Sequence, residues 1–280
     1  MFNYSCSGAS RRAGNDDQEG TVRAAALIIC WLGCISTCTA QSEPQAEIEA
    51  NPGRPTVSTP ATLTPVGYLQ LETGSFFAWN STEFSSRYAV NEVAKLTVHR
   101  RVQVLLPVEP MVLSRAAGRR ELHEGELFLG VQSVLVQGER SVPTVSASYL
   151  RRIHSGPAPE VDIGAFRQSL ILLFSGDARG FHYDANAVFS EQNEGPVRRA
   201  QYGQTLSISH PWRGFTVSAE IWHFTQPFLR GHATGNLWAA AYPLRKNLVL
   251  DAGFNRGLTA TSTKWEFFAG FTYVIPHRLW

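Results

Sequence analysis

The stretch Trp265-Glu-Phe-Phe-Ala-Gly-Phe-Thr-Tyr-Val-Ile275 decides the fold, because its side chains change character at every second position. The odd-numbered residues form an apolar face, whereas the even-numbered ones include Glu266, Gly270 and Thr272. A β-strand directs successive side chains to opposite faces, so this period of two predicts a strand with one apolar face. At about ten residues, such a strand is long enough to cross a membrane at a tilt.

The same alternation recurs through the preceding two hundred or so residues, in segments of similar length. We count twelve segments, which begin near Gly67, Tyr88, Val102, Glu126, Val142, Phe166, Phe181, Tyr202, Phe215, Asn236, Leu248 and Lys264. An even number of strands places both chain ends on the same side of a membrane, which for an outer-membrane barrel is the periplasm. One position conflicts with the pattern: Glu92 lies among apolar residues, so we expect it near the rim or at a bulge.

The connections between these segments alternate in length. Short joins are predicted at 99–101, 137–141, 176–180, 211–214 and 244–247, and long polar loops at 75–87, 107–125, 153–165, 190–199 and 225–235. Short turns at one end and long loops at the other are typical of outer-membrane barrels. We therefore predict an all-β fold, a transmembrane up-and-down antiparallel β-barrel of about 12 strands over residues 65–280.

The first 40 residues have the composition of a signal peptide. An apolar stretch from Ala24 to Cys38 follows Arg23 and leads to Thr39-Ala40, before a predicted cut at Gln41. Its length of about 15 residues is short for a transmembrane helix, which needs roughly 20. Export would remove all four cysteines. Two alternatives stay open: lipidation at Cys34 or Cys38, and a translation start further downstream.

Residues 41–64 are rich in Pro, Glu, Ser and Thr and contain almost no large apolar side chains. Such a segment cannot offset its ordering entropy by burying apolar surface. We predict a flexible periplasmic tail, with a short plug of the barrel as the alternative.

Composition narrows the range of functions. The formal net charge is +2 and Lys and Arg do not form runs, so we expect no nucleic-acid partner. The eight histidines lack the spacing of metal ligands, and we predict no cofactor and no metal site. His182, Asp184 and Ser207 would allow a lipid hydrolase, but scattered His, Asp and Ser residues are common, so we predict a protein that is not an enzyme.

Three stretches carry a resemblance to a known family: Val93-Ala-Lys-Leu-Thr-Val-His-Arg-Arg-Val-Gln-Val104, Gly176-Asp-Ala-Arg-Gly-Phe-His-Tyr-Asp-Ala-Asn186 and Asp251-Ala-Gly-Phe-Asn-Arg-Gly257. Together with Gly125–Val131, Asn236–Trp238 and Phe271–Pro276 they resemble the phenol-degradation meta-pathway outer-membrane family. This resemblance covers roughly residues 60–280. It implies an outer-membrane β-barrel that acts as a transporter or channel for small, often aromatic, compounds, and it brings no catalytic residues.

If the apolar sets face lipid, the polar sets line the lumen. Our candidates for lumen or selectivity residues are Lys95, His182, Asp184, Asn186, Glu220, Asp251, Asn255 and Glu266. Acidic groups predominate there, which would modestly favour cations or neutral polar solutes. Glu220 and Asp251 lie on strands that one other strand separates, so they could approach each other.

Four aromatic residues of the first long loop, Phe76, Phe77, Trp79 and Phe84, are predicted to form a lid over the lumen or a contact patch. We expect a passive channel in the cell outer membrane of a Gram-negative envelope. Its predicted partners are outer-membrane lipid, the insertion machinery, for which the terminal Trp280 would serve as a signal, and a small-molecule solute. A structural or adhesive barrel that works through its long loops is the alternative.

Overall fold

The computed structural model describes residues 48–139, 142–159, 161 and 166–280, and within them it contains strands and turns but no helix. The predicted signal peptide and both candidate lipidation sites lie outside these residues. The strands are β1 (Leu69–Trp79), β2 (Ser86–His99), β3 (Val102–Ala116), β4 (Arg119–His123), β5 (Leu127–Val136), β6 (Thr144–His154), β7 (Gln168–Ala178), β8 (Phe181–Glu194), β9 (Val197–Trp212), β10 (Phe215–Gln226), β11 (Gly231–Arg245), β12 (Leu248–Gly257) and β13 (Trp265–Val274).

Each strand pairs with its neighbours in antiparallel fashion, and β13 returns to pair with β1 from Gln70↔Val274 to Trp79↔Trp265. The short strand β4 adds only to the far half of β3, while β5 pairs with the near half. Twelve strands therefore form a closed barrel, as the sequence predicted. Closure leaves no unpaired sheet edge in the barrel wall, which a membrane requires.

The short joins lie together at one end of the barrel, which we call the turn end; the opposite end is the loop end. Arg179-Gly180 and Arg213-Gly214 both have positive φ at the two central residues of a two-residue hairpin. That backbone is a type I′ turn, whose twist matches the strands it joins. Both ends of the barrel domain lie at the turn end, because the N–H of Leu279 donates to the carbonyl of Gly67.

The predicted long loops are much shorter than expected. β8 and β9 continue until only two residues separate them, β3 folds back through β4, and β1 runs to Trp79. The predictions of loops at 190–199, 107–125 and 75–87 were therefore wrong for most of their residues. Polar residues marked them as loops, but paired strands can continue above a lipid layer with polar side chains on both faces.

A bulge lies beside Glu92, one of the two possibilities expected from the sequence, but its extra residue is in β3 and does not turn Glu92 inward. The β2–β3 register shifts between Val90 and Glu92, because one residue of β2 faces two of β3 there. Glu92 itself remains exposed on the outer face. The bulge re-aims β3, so its apolar residues continue to face outward on both sides of the shift.

The outer face of the barrel is apolar over most of its height. Exposed outward residues include Leu129, Val131, Leu170, Leu206, Ile208, Val217, Ile221, Trp238 and Leu250. Exposed aromatic residues flank this band, with Phe181, Trp212, Phe215 and Tyr242 near the turn end and Tyr149, Phe189 and Tyr202 toward the loop end. The inner face instead carries buried Gln, Ser, Thr, Asn and acidic side chains. This inside-out distribution is that of a transmembrane barrel with aromatic girdles.

Residues 48–64, which we call the lumen segment, lie inside the barrel and hydrogen-bond to its wall. The described part of the predicted flexible tail is thus held in place, and its position is that of the alternative, a short plug. Composition gave no indication of this position, because residues 48–64 are held by polar partners in the lumen rather than by apolar burial.

Candidate functional site

The lumen segment is bound mainly through its backbone. Five residues of the segment donate their backbone N–H groups to side chains of the barrel wall, over distances of 2.7–3.0 Å. These residues are Asn51, Gly53, Thr59, Ala61 and Thr64. Carbonyl groups accept in return, as when Gln132 Nε2 donates to the carbonyl of Pro60 at 3.0 Å. A peptide inside a barrel must satisfy its backbone groups without bulk water. The wall supplies the partners that a neighbouring strand would otherwise provide.

Glu220 is the centre of these contacts. Its carboxylate accepts the N–H of Val57, the N–H of Ser58 and the hydroxyl of Ser58, each at 2.7 Å. The Ser58 hydroxyl also lies 2.7 Å from the hydroxyl of Thr205. Hydrogen bonds to a charged acceptor are stronger than those between neutral groups. Glu220 therefore fixes the middle of the lumen segment to the wall.

Asp251 binds the segment through a side chain. Arg54 Nε and Nη2 approach the two carboxylate oxygens of Asp251 at 3.3 and 3.2 Å. The guanidinium lies against Gly74 of β1, where an added Cβ would come within 2.3 Å of Arg54 Nη2. Gly270 of β13 is close on the same side, and a Cβ added there would lie 2.9 Å from Arg54 Nη2. Two adjacent glycines thus leave the space that the arginine occupies.

Glu220 and Asp251 do not act as the pair that the sequence suggested. Each instead holds a different part of the lumen segment, Glu220 at residues 57–58 and Asp251 at residue 54. The other candidates all face the lumen. Lys95 forms a buried ion pair with Glu72 at 2.5 Å, Asn186 binds both the N–H and the carbonyl of Thr59, and Asn255 accepts from Trp222 Nε1 at 2.8 Å. Glu266 lines a cavity beside Arg54.

His182 and Asp184 line a cavity of about 290 Å³ at the turn end, together with Ser207. His182 Nδ1 lies 2.9 Å from Asp177 and Nε2 lies 3.4 Å from Asp184. Both ring nitrogens therefore face carboxylates, and Asp184 in turn accepts the Ser175 hydroxyl at 2.5 Å. A hydrolase needs an imidazole nitrogen directed at the serine hydroxyl. This arrangement does not provide one.

Further cavities continue the lumen toward the loop end. Cavities of about 240 and 180 Å³ flank Arg54 and Thr56, and both share Asn91 in their walls. A fourth, of about 210 Å³, lies at the loop end and shares Asn91 and Phe76 with its neighbour. Arg54 and Thr56 also border the turn-end cavity. The cavities form a series from one end of the barrel to the other, and Arg54 and Thr56 of the lumen segment lie between the turn-end cavity and the next two.

Part of the lumen wall is apolar. Trp222, Phe224 and Ala233 form a buried cluster on which Val57 of the lumen segment and Val188 pack. Gly235 and Gly203 make room for the two rings, since a Cβ at either would lie 2.3 Å from a ring carbon. Phe76, Phe268 and Leu237 line the adjoining cavity. The half of the lumen toward the loop end therefore offers aromatic as well as polar contacts.

The predicted aromatic lid is not present as one surface. Phe76, Phe77 and Trp79 belong to strand β1, where Phe76 lines the lumen and the other two lie on the alternate face. Phe84 is in the connection after β1, but it is 3% exposed. The prediction placed these residues in a loop because the polar residues around them hid the continuation of β1.

Sequence reasoning missed the residues of the lumen segment that meet the wall, above all Arg54 and Ser58. It also missed Arg87, which is buried, stacks over Phe76 and forms an ion pair with Glu109 at 2.5 Å. A charged residue in the inward-facing set of β2 was a usable indication for Arg87. Nothing in residues 48–64 indicates which wall residues they would meet.

Comparison with solved structures identifies the architecture. The crystal structure of the COG4313 outer membrane channel from Pseudomonas putida F1 is similar over 81% of this chain and 100% of that one, with 15% identity and a TM-score of 0.57. The NanC porin is similar over 73% of this chain and 98% of that one, with 9% identity and a TM-score of 0.50. No protein-family model and no curated protein sequence matches.

The chain has the fold of an outer-membrane β-barrel. Its apolar outer band and polar lumen are those of a barrel in the cell outer membrane. Within the described residues, no helix has the length and apolarity needed to span a membrane. Over the same residues, no three His, Cys, Asp or Glu side chains come together as a metal site would need.

Proposed function

We propose that the protein is a passive outer-membrane channel for small compounds, closed in this conformation by its own lumen segment. The observation that carries the proposal is the series of cavities along the lumen, which the lumen segment divides near Arg54 and Thr56. Twelve strands enclose more space than an eight-stranded barrel, which wall side chains alone can fill. The segment occupies part of the remaining space and leaves cavities beside it.

The acidic groups of the lumen would determine which solutes pass. Glu72 pairs with Lys95, Asp251 pairs with Arg54, and Glu220 binds backbone N–H groups of the segment. Withdrawal of the segment would leave Asp251 and Glu220 without these partners and facing the path. Acidic side chains in a pore favour cations over anions. We therefore propose a modest preference for cationic and neutral polar solutes in the open state.

Aromatic solutes fit the apolar part of the lumen. Trp222 and Phe224 lie on one side of the half toward the loop end, and Phe76 and Phe268 line the adjoining cavity. The resemblance to the phenol-degradation meta-pathway outer-membrane family supports this choice of solute. Export by a signal peptide at residues 1–40 and insertion by the outer-membrane machinery complete the proposal.

A liposome-swelling assay on the refolded chain tests the proposed function. A small neutral aromatic solute such as benzyl alcohol crosses lipid alone too fast for entry through a channel to be resolved. Sugars and amino acids of graded size are therefore the appropriate probes. Arabinose and lysine should enter faster than glutamate and faster than into protein-free liposomes. Equal swelling with and without protein, for the wild-type chain and for variants that release the segment, would refute a channel.

A further inference from the structure

The outer face of β6–β9 carries an aromatic row with a basic row beside it. Strand pairing places Tyr149, Leu170, Phe189 and Tyr202 next to one another across the four strands. The next outward-facing row toward the loop end is Arg151, Gln168, Glu191 and Ala200, followed by Asn193 and Arg198. Two residues of a strand span roughly 7 Å. The basic row therefore begins just beyond the aromatic girdle.

The side chains of this basic row form one network. Gln168 accepts the Tyr149 hydroxyl at 2.9 Å and Arg151 Nη1 at 3.3 Å, and it donates to Glu191 at 2.5 Å. Arg198 Nε and Arg167 Nη1 lie 3.5 and 3.7 Å from Glu191 Oε1. These last distances are those of ion pairs without hydrogen bonds. The two guanidinium groups thus keep donors available for another acceptor.

The charges of the network do not cancel. Arg167 and Arg198 pair with the single carboxylate of Glu191, and Arg151 is linked to it through Gln168, which leaves a local charge of about +2 on a face that borders lipid. Arg198 is 64% exposed, and Arg151 is exposed as well. On the far side of the barrel, the outward-facing Arg256 of β12 instead stacks on Trp265 at 4.2 Å. Exposed arginines also occur on the β3–β4 hairpin, at Arg115, Arg119 and Arg120, whereas on β6–β9 the arginines border the aromatic row.

We propose that this surface binds the phosphorylated head group of an outer-leaflet glycolipid, with the acyl chains on the aromatic row below it. The planar guanidinium group binds phosphate through paired N–H donors, and arginine is suited to that geometry. Tyr149 and Tyr202 present rings to the acyl region and polar tips to the head groups, as interfacial aromatic residues do. The site does not depend on whether the lumen conducts.

Binding of purified diphosphorylated lipid A to the full chain in detergent tests this site, with native mass spectrometry as the readout. Each arginine near an anionic surface contributes about a fivefold change in affinity. We expect the double variant Arg151→Gln/Arg198→Gln to bind lipid A roughly 25-fold more weakly than the wild-type chain. Arg151→Lys/Arg198→Lys keeps both charges but loses the paired donors, so its affinity should lie between those of the wild-type chain and the double Gln variant. Binding by this variant would also show that the site tolerates substitution without loss of the fold.

Three controls test whether the binding depends on these arginines and on the lipid phosphates. Arg256→Gln is the matched control, an outward-facing arginine outside the cluster, and it should leave the affinity unchanged. Lipid A without its phosphates should bind the wild-type chain and the double Gln variant equally weakly. Inorganic phosphate at the same concentration should not displace lipid A. Unchanged binding by the double Gln variant, an equal loss with Arg256→Gln, or displacement by inorganic phosphate would each overturn the proposal.

Discussion

Substitution of Glu220 should release the lumen segment. In Glu220→Ala the N–H groups of Val57 and Ser58 lose their acceptor, whereas the Ser58 hydroxyl keeps Thr205 as a partner. Loss of a hydrogen bond to a charged group costs about 1.5–3 kcal/mol, so the two backbone bonds alone are worth about 3–6 kcal/mol. At 1.36 kcal/mol per tenfold change, the balance between bound and released segment shifts by roughly 10² to 10⁴.

Single-channel recording in planar bilayers measures this shift directly. We expect brief, rare openings of the wild-type chain and frequent or lasting openings of Glu220→Ala. Glu220→Gln keeps one acceptor oxygen and should be intermediate. Ser218→Ala is the control, because Ser218 lies on the same strand and faces the lumen, yet among the described residues it makes no hydrogen bond to the segment.

A second variant acts at a different point of the segment. Asp251→Ala removes the partner of Arg54 and should also raise the open fraction, although the contacts of Glu220 with the segment are left in place. Identical records from wild-type, Glu220→Ala and Asp251→Ala proteins, all shown to be folded by heat-modifiable gel mobility, would refute the idea that these contacts close the lumen.

Three further changes test other parts of the structure. Gly74→Ala places a methyl group against the Arg54 guanidinium, so it should weaken the Arg54–Asp251 pair and raise the open fraction as Asp251→Ala does. Single-channel recordings like those of the wild-type chain would show that the arginine has room to move. Glu92→Leu removes an exposed carboxylate from the outer face and should raise the free energy of unfolding in urea by about 1–2 kcal/mol; no gain would place this residue outside the lipid. Trp222→Phe leaves the buried Asn255 carbonyl without its donor and should lower that free energy by about 1–3 kcal/mol, a loss that an unchanged urea midpoint would contradict.

The barrel wall was predictable because each strand obeys one simple rule. Alternation placed Lys95, Asn186, Glu220 and Asp251 on the inner face, and all four are buried there. The strand count followed from the same rule, since each crossing needs about ten alternating residues. The ends of strands were less predictable, as at β8 and β9, because polar residues beyond the lipid fit a loop and a paired strand equally well.

The contents of the lumen were not predictable from local pattern. Residues 48–64 have no periodicity and little apolar area, and their position depends on contacts with side chains up to 197 residues away, as between Arg54 and Asp251. Those side chains become neighbours only after the barrel closes. Their inward direction was visible in the sequence, but their partner was not, because a lumen carboxylate can bind water, an arginine or a peptide N–H group equally well.

The contacts of the lumen segment also constrain what an open channel must do. Gln132 donates to the carbonyls of Pro60 and Ala61, while Glu220 accepts from Val57 and Ser58. Departure of the segment would leave both wall groups in need of partners, and water entering the lumen can supply them. A purely apolar solute cannot replace these hydrogen bonds, so it would have to pass along the Trp222 side and leave the polar wall wet. Solutes with a ring and a polar group would contact both sides of the lumen, so we expect this class to pass more readily than purely apolar solutes.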